Sequence, residues 1–315
     1  MVIGHEKIIR FFDNAIKSDN LAHAYCFIGC DQVGKRAVAS QLAAKLLAVE
    51  KEKLTQNPDF FYLERETDAK TGKLKKNISI SQTRDLRARL QNLSWLGGYQ
   101  VVVINEAELL SAESANALLK LLEEPGEKSV FFLLTDNEQA LLSTIRSRCQ
   151  LFFFNLVANS EIKSGLRQLG HEEELAAEVA TLSWGRPGRA ITLAGDPDLL
   201  AQIKIEKQRW EKMIDVPFYK KLKAIEDLFT EKHDSMKRLY ELQKVLDVWM
   251  MLWRDLLLER AGQVHNNTPS KYFNNSVSLP QREISNFITS LGETKVLLAQ
   301  NINPQLLFEQ LLLKV

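Results

Sequence analysis

The sequence predicts an α/β domain built on a parallel sheet, followed by an all-α half. Three observations carry that prediction. Short apolar runs at residues 24–28, 60–63, 101–104, 130–134 and 151–154 alternate with helical patterns, and strands alternating with helices make a parallel sheet covered on both faces. A phosphate-loop pattern, Gly29-Cys30-Asp31-Gln32-Val33-Gly34-Lys35-Arg36, stands directly between the first apolar run and a helix. Beyond Asn155 no strand pattern is convincing. A chain of 315 residues is long enough for two or three domains, each with its own core.

Taken in order, residues 5–18 carry Ile8, Ile9, Phe12, Ala15 and Ile16 at helical spacing. After the first strand and the loop, residues 35–49 read as a helix with Ala39, Leu42, Ala43, Leu46 and Leu47 inward. A second strand follows at Phe60. Residues 65–77 are polar and lysine-rich (Lys70, Lys73, Lys75, Lys76), which suits an exposed loop or hairpin; such a loop could touch DNA, although a solvated one is commoner. Residues 81–92 are amphipathic. Val101-Val102-Val103-Ile104 is the β-branched run of a strand buried on both faces. Ser111 can cap the next helix with Glu113 in its first turn, and Pro125-Gly126 ends it. Residues 160–200 read as short helices broken at Gly170-His171, Gly185-Arg186-Pro187-Gly188 and Gly195-Asp196-Pro197. From about residue 206 the helices lengthen. Residues 234–261 form the longest, apolar on more than one face, as in a buried bundle helix. Trp249 and Trp253 lie one turn apart on it; core packing is the commoner reason, and a subunit interface would look the same. Residues 262–278 are a polar, Asn-rich connection, and helices at 281–300 and 304–314 close the chain.

The loop after the first strand carries the chemistry. A P-loop needs glycines so that backbone N–H groups can face phosphate oxygens, a lysine as point charge, and a hydroxyl for Mg²⁺. Gly29, Gly34 and Lys35 fit. Arg36 stands where the hydroxyl belongs. In P-loop NTPases an acidic residue ending a neighbouring strand holds the metal, and a following glutamate can position water. Here those places hold Asn105 and Glu106, and asparagine brings no negative charge to Mg²⁺. The site is either a working nucleotide site or the remnant of one. In Thr144-Ile145-Arg146-Ser147-Arg148-Cys149-Gln150 two arginines close a helix before the last strand. Arginine matches phosphate oxygens, but spacing alone reads as helix closure favoured by the helix dipole.

Composition excludes several classes. There are 41 basic and 40 acidic residues, a formal net charge of +1, which argues against strong non-specific grip on nucleic acid. Cys26, Cys30 and Cys149 show no metal-ligand spacing, so neither a zinc site nor a disulfide framework is expected, and a reducing cytoplasm fits. The five histidines match no metal or triad pattern. The first residues lack a signal peptide's apolar core, and no uncharged run approaches the ~20 residues that span a bilayer; a soluble chain is expected.

Together these residues resemble the clamp-loader branch of the AAA+ family, specifically its bacterial delta-prime members. The carriers are Ile3-Gly4-His5-Glu6, Leu21-Ala22-His23-Ala24-Tyr25, the P-loop, the segment from Ser114 to Pro125, Ser147-Arg148-Cys149, the turn Gly185 to Ala190, and Asn301-Ile302-Asn303-Pro304. The match is dense through residue 155 and thin beyond it. The resemblance implies a RecA-like AAA+ ATPase-type domain (1–155), a small helical lid (156–205) and a C-terminal helical collar (206–315) that joins five subunits in a ring. It implies gamma/tau motor subunits and a delta subunit as partners in that hetero-pentamer, with the sliding clamp and primed DNA reached through the complex and no membrane. In such rings the motors hydrolyse ATP while delta-prime acts as a rigid stator. Its Ser-Arg-Cys arginine reaches the ATP of the adjacent motor; carried over, that finger in trans is Arg148. No cofactor is then required, and weak ATP or phosphate binding at Gly29, Gly34 and Lys35 is all that the degenerate positions Arg36, Asn105 and Glu106 leave open. Many relatives carry a four-cysteine zinc module after the P-loop helix, whereas residues 49–58 here contain no cysteine. The competing reading is an active ATPase of the gamma/tau type. A motor also needs a lid arginine, and Gly188 stands in its place, although Arg189 beside it blurs the alignment.

Overall fold

The structure is a computed structural model. It describes residues 2–68, 72, 74–90, 94–95, 97–126, 128–213, 216–230, 235–260, 279–298, 300 and 302–314. Lys70, Lys73, Asn301, residues 91–92, the connection 262–278 and the terminal positions 234 and 261 of the longest helix lie outside the described residues. The chain separates into two compact units, Met1–Ile191 and Thr192–Val315.

In the first unit the elements alternate as α1 (Glu6–Lys17), β1 (Ala24–Ile28), α2 (Lys35–Leu46), β2 (Phe60–Leu63), α3 (Ile80–Leu90), β3 (Gln100–Ile104), α4 (Ala112–Glu123), β4 (Ser129–Thr135), α5 (Ser143–Arg146) and β5 (Gln150–Phe153), followed by α6 (Asn159–Gln168), α7 (Glu173–Leu182) and the start of α8 (Pro187–Gly195), whose residues from Thr192 onward belong to the second unit. The five strands form one parallel sheet in the order β2-β3-β4-β1-β5. Successive side chains of a strand face opposite sides. Ala24, Cys26 and Ile28 of β1 therefore join Val102, Ile104, Phe131 and Leu133 in a core with Leu86, Leu118 and Leu122. Tyr25 and Phe27 join Val101, Val103 and Phe132 on the other face with Phe12, Val38 and Leu42. Phe12 is fully buried, its ring 4.7 Å from Tyr25 and 5.8 Å from Phe27. Cys26 is a buried small hydrophobe, and burial pushes its thiol up to about 12.

Ser111 caps α4, accepting from the Ser114 N–H at 3.1 Å. After β2, Thr67 and Leu74 form an isolated antiparallel bridge, and Lys75 pairs with Glu66 beside it. The helix α2 ends at Leu46, three residues short of the expected end. Ala48 takes φ 52°, the left-handed conformation that closes helices, and the Val49 N–H returns to the Ala44 carbonyl.

The second unit is helical: α9 (Pro197–Met213), α10 (Phe218–Ile225), α11 (Asp227–Thr230), α12 (Ser235–Arg260), α13 (Gln281–Leu298) and α14 (Pro304–Leu312). Among the described residues no strand follows β5. Trp249 and Trp253 are core residues. Trp210 stands 5.2 Å from Trp249 and 5.1 Å from Trp253, and Phe287 lies 4.2 Å from Trp253. Among the described residues Glu206, Arg209 and Lys221 are the buried charged groups of this unit; Glu206 pairs with Arg209, which also donates to Asp227 at 2.6 Å. Burial raises the Glu206 pKa, and Arg209 opposes that shift. No described helix is long and apolar enough to cross a membrane.

Candidate functional site

Parallel strands put their C-terminal ends on one side of the sheet, where α/β proteins hold ligands. Here β1 runs into the P-loop, β3 into Asn105 and Glu106, and β4 into Asp136. The fold therefore brings Gly29, Gly34, Lys35, Arg36, Asn105 and Glu106 to one end.

Two glycines shape the loop. A Cβ on Gly29 would stand 2.5 Å from the Phe154 carbonyl oxygen, so the chain crossing beside β1 requires glycine there. Gly34 takes φ 118°, which side-chain-bearing residues rarely adopt. Between them Gln32 also has positive φ, 61°. The loop is held from outside as well. His5 Nε2 donates to the Val33 carbonyl at 2.8 Å, and burial lowers the histidine's pKa, favouring the neutral ring. The Gly188 N–H donates to the Gln32 carbonyl at 2.8 Å. A Cβ on Gly188 would meet that same oxygen at 2.8 Å. An arginine side chain therefore has no room to leave residue 188 in this arrangement. The neighbouring Arg189 lies over the Trp184 ring, 4.4 Å from its centroid.

Three of the side chains that a nucleotide would engage, those of Lys35, Arg36 and Glu106, are held by other residues. Lys35 is 7% exposed; its ammonium donates to the Gly29 carbonyl, to the Cys30 carbonyl at 3.0 Å and to Asp136 Oδ1 at 2.6 Å. Arg36 lies over the Tyr62 ring at 4.7 Å, with Glu64 4.0 Å away. Burial pushes the Tyr62 phenol up to about 12. Glu106 is gripped by Arg65 through a two-point fork, Nε to Oε2 at 2.8 Å and Nη2 to Oε1 at 2.7 Å. No group of three or more metal-ligating side chains occurs among the described residues.

Arg148 is elsewhere. It precedes the first residue of β5, so it lies at the opposite end of the sheet from the P-loop. A four-residue strand rising about 3.3 Å per residue separates the two levels by roughly 13 Å. Arg148 Nη2 donates to Glu123 Oε1 at 2.6 Å and Nη1 to the Thr144 carbonyl at 2.9 Å, with the side chain 35% exposed. Arg146 pairs instead with Glu138 at 3.1 Å. Asp136 and Arg65 follow strands outside any motif, Tyr62 lies within β2, and Glu123 ends α4 inside the Ser114–Pro125 segment. Their pairing with the site residues is revealed by the fold and not by local sequence.

A family model described as DNA polymerase III, delta subunit matches residues 4–158. DNA polymerase III subunit delta' of Pseudomonas aeruginosa is 39% identical over 190 residues, 55% of this chain and 56% of that protein. Subunit tau/gamma of Haemophilus influenzae is 34% identical over 58% of this chain, and the match spans 27% of its own length. Subunit delta' of Bacillus subtilis aligns end to end, covering 98% of this chain and 94% of that protein at 23% identity. The chain thus spans well under two thirds of the Haemophilus and Pseudomonas relatives and nearly all of the Bacillus one. By the matched model, residues 4–158 belong to the family described as DNA polymerase III, delta subunit, and the chain as a whole is similar to delta' subunits of that polymerase.

Proposed function

We propose that this chain is the stator of a clamp loader: a cytoplasmic subunit that hydrolyses no ATP itself and supplies Arg148 to the ATP site of a neighbouring gamma/tau subunit. The observation that carries the reading is the separation of Arg148 from the chain's own P-loop by the length of the sheet. A finger placed there cannot reach a phosphate held by Lys35, whereas its half-exposed guanidinium can meet a nucleotide bound to an adjacent subunit. Supporting it, the metal place is Asn105, the hydroxyl place is Arg36, and Glu106 is tied to Arg65. The tau/gamma relatives favour a second reading, an active motor, but two missing Mg²⁺ ligands on one ion weigh against it.

In the same reading residues 156–205 form the lid and 206–315 the collar of a five-membered ring with gamma/tau and delta subunits, through which the sliding clamp and primed DNA are reached. No cofactor is required. The helix α9 runs unbroken through residues 205 and 206, so a truncation that tests the collar ends ahead of Pro197.

The test is Arg148→Ala in the assembled complex. An arginine supplied in trans is worth ~10³–10⁵ in rate at the site it serves. Turnover at the neighbouring site, isolated by inactivating the other motors, should fall by that order with assembly intact. Unchanged DNA-stimulated turnover at that site would refute the assignment.

A further inference from the structure

We propose that the P-loop of this chain is a phosphate-class anion site whose resident anion is the chain's own Asp136 carboxylate. The loop then stays closed without nucleotide, and takes an external phosphate group only when that carboxylate is withdrawn. This stands apart from the trans role of Arg148, and either can fail alone.

The argument begins with Lys35. Its side chain is 8% exposed, and a buried ammonium is costly unless paired. An ammonium has three N–H donors, and here three acceptors meet them: the Gly29 and Cys30 carbonyls and Asp136 Oδ1. In a loaded P-loop the lysine reaches phosphate oxygens; here a carboxylate oxygen receives that hydrogen bond.

The fold holds the carboxylate there. Ile28 pairs with Thr135 in the sheet, and the Gly29 N–H donates to the Thr135 carbonyl at 3.2 Å, so the residue after β4 must stand beside the loop after β1. The Thr135 hydroxyl donates to the Asn137 carbonyl and accepts from its N–H, both at 3.1 Å, fixing the backbone on either side of Asp136. Glu108 adds a second carboxylate, accepting from the Asp136 N–H at 3.4 Å. An entering polyphosphate would therefore meet a lysine already neutralised and a nearby negative charge. Arg36, turned over Tyr62, offers no compensation. Withdrawal of the Asp136 charge reverses this. It leaves a buried cation at the N-terminus of the twelve-residue α2, where an anion is favoured.

The test is titration of the full-length chain with magnesium-free inorganic pyrophosphate, followed by calorimetry and by thermal unfolding. Wild type should show neither heat nor a shift in Tm. Asp136→Ala should bind at least about tenfold above the wild-type limit, the scale of one removed unit charge at contact distance, and Tm should rise with pyrophosphate. Asp136→Asn keeps the shape without the charge and should show the same gain if the alanine variant folds poorly. Adding Lys35→Ala should abolish the gain, and adding Glu108→Gln should strengthen it. Equal binding by wild type and either variant would overturn the proposal. So would a folded Asp136→Asn chain that binds no pyrophosphate, or a gain that survives loss of Lys35. Failure of both variants to fold even in pyrophosphate would also contradict it, since an external anion should replace the lost carboxylate.

Discussion

Lys35 and Arg148 are cations of one compact unit with opposite circumstances. Lys35 is nearly buried and saturated by its own loop and Asp136. Arg148, at the other end of the sheet, is held by one carboxylate and one carbonyl and remains 35% exposed. The comparison teaches that loss of a nucleotide site need not leave a gap. Lys35, Arg36 and Glu106 are tied into internal contacts, while Arg148, the finger of the proposed reading, keeps a face to solvent.

The sharpest break of this comparison is chemical replacement at Arg148. Arg148→Lys keeps the charge but not the planar fork, so it should recover less than about a tenth of the turnover lost in Arg148→Ala. Arg146→Ala, which removes a pair with Glu138 only, should leave turnover at the neighbouring site near normal. Recovery by lysine to wild-type rates would make Arg148 a point charge and no finger.

Next in size is a stability effect on the closed side. Gly188→Ala drives a Cβ against the Gln32 carbonyl, a backbone atom that cannot swing away. Overpacking of this kind costs about 1–3 kcal/mol, read as a lower denaturation midpoint in urea. An unchanged midpoint would mean that the Gly188 contact with the P-loop is loose.

A smaller effect is expected at Glu123. Half-exposed ion pairs contribute about 0.2–1 kcal/mol, so Glu123→Gln, by loosening the held guanidinium, should lower turnover at the neighbouring site by no more than about fivefold. A rise in turnover would show instead that Glu123 restrains the finger.

The smallest effect lies in the second unit. Burial raises the folded pKa of Glu206 above its unfolded value. The stability it contributes is complete below the unfolded pKa and declines as pH rises through the raised one. Glu206→Gln should flatten that decline, which urea unfolding of both proteins at about pH 4 and about pH 8 would measure.

Much of the fold was readable from local pattern, for physical reasons that particular residues show. Val101-Val102-Val103-Ile104 is β-branched throughout and forms an interior strand of the sheet, fully buried. Ser111 and Pro125 bracket α4 as caps and breakers do. The end of α2 was not readable, because nothing in an alanine announces the positive φ that Ala48 adopts. The candidate site was half readable. Gly29, Gly34, Lys35 and Arg36 lie together in one loop, and Asn105 and Glu106 together at the end of one β-branched run, so each group shows in local sequence. Their partners do not: Asp136 is 101 residues from Lys35, Arg65 is 41 from Glu106, and Glu123 is 25 from Arg148. Those pairings follow from strand order, which no local spacing encodes.

The central claim is that this P-loop is closed to catalysis, and it is most directly tested by Mg²⁺-dependent ATP hydrolysis of the purified chain alone. The account predicts no turnover above background, with wild type and Lys35→Ala indistinguishable. Turnover that requires Mg²⁺ and disappears in Lys35→Ala would contradict it and make the chain a motor.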